Sequence, residues 1–392
     1  LSVPTNDCMN PLWPCAMTGA ASCLSGIRGI GVIIHGSSGC FFYPATLLKT
    51  PLHCTNLIEE DIIFGAEKRL KQVVEELSSQ YDLLAVIPAC APAVTGEDIR
   101  EILSGYPVIV IDSPGFIGGC EEGYITALGS LPCCIDEERP GVNISGLDLI
   151  DPFCRGNLIE MERIFGHANI PVAARFCLDS LSSICRPSPL TISTNPDLCG
   201  QPGREIGTAL GLKNLESSLT GLATWCDDAD IDPILDEIRV AEEAIDRACD
   251  KYLRRFEPPA TAIFGGFSYA HFAAELLSDY LDAEVTSVGC RNTIQSSRFR
   301  VEEARDMSAV DRILERDKPE LVIGSSFEER QVQNAAFVPL TYPFRGKVRL
   351  AAHPIAGVQG ALSFMETVLN ACMDLRRRDC RIDPHTSLQE FV

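Results

Sequence analysis

Three cysteines stand where a metal site can be built. Cys15 lies in W-P-C-A-M-T-G-A-A, Cys40 closes H-G-S-S-G-C, and Cys90 closes V-I-P-A-C-A-P. Cys40 and Cys90 each follow a short β-rich run, which puts them at the carboxyl ends of neighbouring strands. The irregular segment holding Cys15 can fold over the same rim. Gly36 and Gly39 let the backbone turn sharply and approach a bulky inorganic group. Thiolates are soft ligands that suit iron–sulfur clusters. The chain contains no C-x-x-C pair, which argues against a ferredoxin-type site and a zinc ribbon. Three thiolates are too few for a four-iron cluster bound by one chain. Another subunit would then complete the set, with the cluster at an interface.

Short β-rich runs alternate with helical patterns, the signature of βαβ units and parallel sheets. The first third predicts strands over 31–36, 82–89 and 107–112 and helices over 60–77 and 96–103. In the first of these helices Ile63, Ala66, Leu70, Val73 and Leu77 recur at helical spacing. Pro140-Gly141 opens a second unit, with strands over 142–147, 171–176 and 190–194, a helix over 156–165, another from Arg204, and a long helix over 233–256. Pro258-Pro259 is the clearest linker, because a residue before proline is pushed out of helix. The third unit predicts strands over 261–264, 284–288, 320–324 and 337–340 and helices over 269–281, 301–316 and 358–373. The expected class is therefore α/β, with three Rossmann-like domains and parallel sheets around a central cleft. Their expected bounds are 1–140, 141–257 and 258–375, followed by a charged peripheral tail over 376–392. Ligands are expected at the carboxyl ends of strands.

The chain has 392 residues, a formal net charge of −21 and 46% hydrophobic residues. That hydrophobic content excludes a mainly disordered chain. The acidity argues against a generic nucleic-acid binder, which needs a basic stripe to displace counterions from phosphates. No apolar run approaches the roughly 20 residues of a membrane span, and no signal-peptide pattern is present. Eighteen cysteines fit a reducing cytoplasm and ask for a metal or redox explanation. Most are expected to be small buried hydrophobes. Cys133, Cys134, Cys177, Cys185, Cys199 and Cys226 crowd the middle domain without ligand spacing. G-G-F-S-Y-A-H-F at 265–272 follows a strand and opens a helix, yet it lacks a full G-x-G-x-x-G. Without a G-x-x-x-x-G-K-[ST] the chain is not expected to hydrolyse ATP.

The stretches C-A-M-T-G-A-A from Cys15, H-G-S-S-G-C at 35–40, E-E-D-I-I-F-G-A-E-K-R-L at 59–70 and P-A-C-A-P-A-V-T-G-E-D-I at 88–99 resemble the nitrogenase component 1 superfamily. That superfamily takes in nitrogenase α and β chains, their cofactor-assembly scaffolds, light-independent protochlorophyllide reductase and the nickel-tetrapyrrole reductive cyclase. K-P-E-L-V-I-G-S-S at 318–326 and H-P-I-A-G-V-Q-G-A at 353–361 extend the resemblance over nearly the whole chain. It implies that Cys15, Cys40 and Cys90 ligate a four-iron, or larger shared, iron–sulfur cluster at a subunit interface, with His35 beside it. It also implies a second metallocofactor site, for which Cys154 and His353 are the candidates. The implied partners are an ATP-dependent iron–sulfur reductase and a second subunit, identical in a homodimer or homologous in a heterodimer or tetramer.

The implied function is an oxidoreductase component that accepts low-potential electrons and reduces a bound substrate or cofactor. The length is closer to tetrapyrrole-reductase subunits than to nitrogenase chains, which points away from dinitrogen. Two other classes remain open: a metallocluster assembly scaffold and a metal-free ligand-binding protein. Iron and sulfide content separates the last from the first two.

Overall fold

The computed structural model describes residues 12–200, 202–226, 228–332 and 334–382, with backbone alone for 378–382. Thirteen strands are assigned among them: β1 Ile30–His35, β2 His53–Cys54, β3 Leu83–Pro88, β4 Val108–Val110, β5 Val142–Ser145, β6 Val172–Arg175, β7 Leu190–Ser193, β8 Arg204–Thr208, β9 Ala260–Gly265, β10 Glu284–Cys290, β11 Val301–Glu303, β12 Leu321–Gly324 and β13 Ala336–Pro339. They form three sheets ordered β2-β1-β3-β4, β6-β5-β7-β8 and β11-β10-β9-β12-β13. Every strand pair is parallel. The architecture is thus α/β with three Rossmann-like units. Helices cover both faces of the first sheet, so β1 is buried at all its positions, as a central parallel strand must be. Ile34 and Ile87 pack on one face with Leu24 and Tyr124. Ile33 and Val86 pack on the other with Leu70 and Val74.

In each sheet the chain starts in the middle, lays strands on one side, and crosses to the other. The strand order therefore reverses between β1 and β3, between β5 and β7, and between β9 and β12. Loops leaving strands at such points splay apart and leave a crevice. The sheets share packing across their boundaries. The core of the first includes Phe176, Cys177, Ile184 and Leu198 from the second unit, while Leu12 packs with Phe264 and Val322 of the third.

Several expected elements differ in detail, each for a physical reason. The expected 60–77 helix is two, Glu59–Phe64 and Glu67–Leu77. Gly65 interrupts them with φ 98°, a backbone shape that suits glycine. The helix expected from Arg204 is the edge strand β8, and helix begins only after Gly211, at Leu212. The helix expected from Val301 starts at Met307, because 301–303 pair with β10 and Asp306 caps the helix through the Ala309 N–H at 2.8 Å. The helix expected to end at 373 runs from Gly357 to Ile382. The expected tail is therefore helical at its start, with Arg376 paired to Glu320 at 3.2 Å; residues 383–392 lie outside the described ones.

The helices Ala16–Ser25 and Cys120–Gly129 carried no amphipathic signal, since the first is buried all round except at its end. They cross in backbone contact. A methyl on Gly19 would overlap the Cys120 carbonyl, and one on Gly123 would overlap the Ala16 carbonyl. Gly123→Ala must push these helices apart, and its expected cost is about 1–3 kcal/mol in urea unfolding, as for other overpacking changes. Gly129→Ala, in open space at the end of the same helix, should leave stability unchanged or slightly raised.

Candidate metal centre and adjoining cleft

β1 and β3 are neighbours in register, His35 opposite Pro88, so the turns after them emerge side by side. Each turn leads into a helix. Cys40 sits in the first turn of the helix Ser38–Leu48, and Cys90 begins the helix Cys90–Thr95. Cys15 is the residue before Ala16–Ser25 and bridges to Gly119. All three thiols thus stand at helix amino ends, where the backbone dipole favours negative charge. All three are half-buried.

Gly115 shows how closely they converge. The point its Cβ would occupy lies 3.2 Å from Cys15 Sγ and 3.2 Å from Cys90 Sγ. A side chain at 115 would fill the space both sulfurs face. Cys40 joins them, because its thiol feels the electrostatic influence of Cys90 and Cys15 and bonds to Ser37 and the Cys90 backbone. Burial, reinforced by those two thiols, pushes the Cys40 thiol up, so binding metal there must release its proton. Among the described residues no three His, Cys, Asp or Glu side chains close on a single-ion site. A multi-iron cluster asks for a wider set, because each thiolate binds a different iron. Three thiols around a glycine-walled space fit such a group.

His35 is buried with both ring nitrogens occupied. Nδ1 meets Thr55 Oγ1 at 3.2 Å and Nε2 meets Glu97 Oε2 at 2.9 Å. Burial lowers its pKa, against the pull of Glu97. Cys54, at the end of β2 one strand from β1, places Sγ 3.5 Å from the Gly36 carbonyl. Its thiol is pushed up mainly by burial and also senses Cys40. Cys154 opens the helix Cys154–His167 and is buried, its thiol raised by burial and then by Asp151 and Asp148. His353 is exposed, and its backbone packs where a side chain on Gly156 would stand. The cavity that His353 lines does not include Cys154.

On the far side of Gly119 lies a narrow cavity of about 50 Å³, between loops that leave β5, β7 and β9. Trp13, Glu121, Asp148, Asp151, Asp197 and Tyr269 line it. Trp13 Nε1 donates to the two oxygens of Glu121 at 3.0 and 2.9 Å, and Asn292 Nδ2 donates at 3.3 Å. Asp197 accepts from the Ser268 hydroxyl at 2.7 Å. The Tyr269 hydroxyl donates to Asp151 at 2.6 Å. Burial, then repulsion from Asp197, pushes Glu121 up to about 8, and burial pushes Asp151 up to about 7. Burial also raises Asp148 and Asp197. The cleft therefore holds carboxyl groups that keep or release protons near neutral pH.

Sequence reasoning missed Gly115, Cys54 and this carboxyl group. The glycine-rich run 115–119 was the available signal for the first. Glu121 gave none, since acidic residues in a helix's first turn ordinarily face water.

The three parallel sheets make an α/β fold whose strand ends share one rim, and Cys15, Cys40 and Cys90 stand on that rim in the first sheet. The description Nitrogenase component 1 type Oxidoreductase matches residues 15–186 and 197–373, and the chain belongs to that family. It is 23% identical over 451 residues to the nitrogenase molybdenum-iron protein beta chain of Methanococcus maripaludis, covering 93% of this chain and 94% of that one. It is 26% identical over 156 residues to the nitrogenase iron-molybdenum cofactor biosynthesis protein NifE of Clostridium pasteurianum, covering 36% of this chain and 34% of that one. The solved structure titled Nitrogenase Cp1 at pH 6.5 superposes with a TM-score of 0.80 at 17% identity, over 98% of this chain and 96% of that one. Among the described residues no helix is long and apolar enough to cross a membrane.

Glu121 reports its own ionisation through Trp13. With the exposed Trp225 replaced by phenylalanine, Trp13 fluorescence should titrate with an apparent pKa of about 8, and Glu121→Gln should abolish that transition. Because the folded carboxyl holds its proton above the unfolded value, wild-type stability should fall as pH rises from about 4.5 toward 8, and Glu121→Gln should flatten that slope.

Proposed function

We propose that this chain is the cluster-bearing component of an iron–sulfur oxidoreductase. Cys15, Cys40 and Cys90 hold the cluster at an interface, and the cleft beyond Gly119 receives the substrate or second cofactor. The convergence of two thiols on the space left by Gly115, with Cys40 beside them, carries this reading. When bound, the cluster supplies a low-potential one-electron relay. The protein's own residues do the rest. The helix amino ends favour thiolate charge, the surrounding apolar side chains limit water, and Glu121 and Asp151 hold protons on the cleft side for a reduction that consumes them.

The rim also supports a subunit or reductase interface. Phe64 is 85% exposed, Val94 75%, Phe42 68% and Ile63 64%. They lie on the three helices that surround Cys40 and Cys90. Large apolar side chains grouped so openly mark interaction surfaces. A second subunit, identical or homologous, completes the ligand set from this side, and an ATP-dependent iron–sulfur reductase delivers electrons. The similarity to the NifE assembly protein supports a second reading, a scaffold that passes its cluster to an acceptor. Cluster transfer to an apo-acceptor without reduction of any small molecule would select it.

Anaerobically purified protein should contain iron and sulfide and show an electron paramagnetic resonance signal when reduced. Cys40→Ala and Cys90→Ala should lose most of the iron, and Cys154→Ala should keep it. Gly115→Leu should also lose the cluster while circular dichroism stays unchanged. Full iron content in Cys40→Ala or Cys90→Ala contradicts the ligand assignment.

A further inference from the structure

Two thiols outside the rim face each other across the boundary between the first and second units. Cys133 follows the helix Cys120–Gly129, and Cys185 ends the helix Leu181–Cys185. Beyond these helices the two stretches of chain run side by side. The Cys134 N–H donates to the Cys185 carbonyl at 2.8 Å, and the Asp136 N–H donates to the Pro187 carbonyl at 2.9 Å. The bonds are two residues apart on both segments, so the segments run parallel and in step. That register sets Cys133 opposite Cys185 and Cys134 opposite Arg186. Side chains alternate along an extended segment, so Cys134 belongs to the other face, where Arg186 meets Asp136 at 2.9 Å. Paired extended segments lie about 4.8 Å apart, within the Cα separation of about 4.4–6.8 Å that a disulfide spans. Arg139 fastens the same two segments, donating to the Ser183 carbonyl at 2.9 Å and to the Ser183 hydroxyl at 3.2 Å.

Both thiols are half-buried, within reach of a small reagent. They also act on each other. Burial, then Cys185, pushes the Cys133 thiol up to about 12, while a hydrogen bond from Cys133 works to lower Cys185 against its burial. Cys185 is therefore the thiolate of the pair, with the Cys133 S–H as its donor. A second close pair, Cys23 and Cys177, has its sulfurs 3.5 Å apart, yet both are fully buried and closed to reagents. Accessibility together with register singles out the pair at the boundary.

We propose that Cys133 and Cys185 form a reversible dithiol–disulfide site, oxidised by exchange with a small-molecule disulfide such as oxidised glutathione. The Cys185 thiolate attacks one sulfur of that disulfide, its S–S bond breaks, and one glutathione thiolate leaves. Cys133, as its proton departs, attacks the Cys185 sulfur, the mixed disulfide breaks, and the second glutathione leaves. The protein gives up two electrons, its two protons pass to the departing thiolates, and one oxidised glutathione becomes two reduced ones. The new bond ties the first unit to the second. This site uses none of the rim cysteines and does not rest on the iron–sulfur reading.

Peptide mapping by mass spectrometry tests it. The full chain, prepared anaerobically with its bound iron, is equilibrated with excess oxidised glutathione, alkylated and digested without reductant. The Cys133–Cys185 linkage should appear, should vanish with dithiothreitol, and should raise the melting temperature by several degrees, because it restricts the unfolded chain. Cys134→Ser should keep the linkage. Cys133→Ser should leave one glutathione trapped on Cys185. Both thiols free after equilibration, Cys185 linked to Cys134 instead, or glutathione retained on the wild-type pair overturns the proposal. Iron content, measured in each sample, reports on the rim cysteines separately, so failure of either assignment shows by itself.

Discussion

Two helices touch backbone to backbone, and the rest of the site depends on that contact. Gly19 and Gly123 each occupy a place where a methyl would overlap the other helix's carbonyl. The first helix carries Cys15 at its amino end. The second begins at Cys120, just after Gly119, which is paired to Cys15, and carries Glu121 as its next residue. The close approach therefore fixes a thiol on one side and a carboxyl on the other. It also stations the 115–119 run between Cys15 and Cys90.

The three sheets supply the complementary constraint. Parallel strands must be entered from the same end, so their carboxyl ends share one rim, and the reversal of strand order opens a crevice there. In the first sheet the crevice receives Cys40 and Cys90. In the second and third it receives the loops with Asp148, Asp151, Asp197 and Tyr269. One repeated topology thus produces two neighbouring environments. The rim is half-buried and soft in its ligands, while the cleft is deeply buried and rich in carboxyl groups. Desolvation acts on both in the same direction, favouring the neutral, protonated form. It holds the Cys40 thiol protonated until a metal replaces the proton, and it holds Glu121 protonated near neutral pH until the proton is drawn away.

Much of this was legible in the residues. Apolar runs such as L-L-A-V-I-P at 83–88 declared buried parallel strands, and the glycines and cysteines after them declared what the rim offers. What was hidden depended on tertiary packing. The helix Ala16–Ser25 is buried nearly all round, so it lacks the polar stripe that betrays a surface helix. The strand β8 looked helical because its charged residues sit on a sheet edge. Glu121 sits in a helix's first turn, where acidic residues ordinarily face water, and only folding shows it enclosed by Trp13 and Asn292. Cys154 and His353 are candidates for a second site by resemblance alone; the structure places Cys154 as a buried thiol at a helix start and His353, exposed, on the wall of a cavity.

The central claim is that three thiols from separate loops grip iron and sulfide at the rim of the first sheet. Diffraction at the iron absorption edge, from crystals grown without oxygen, tests it most directly. The account predicts anomalous density bonded to the sulfurs of Cys15, Cys40 and Cys90, against the open face of Gly115. Protein that is fully folded and free of iron, with those sulfurs packed on hydrocarbon, would contradict it.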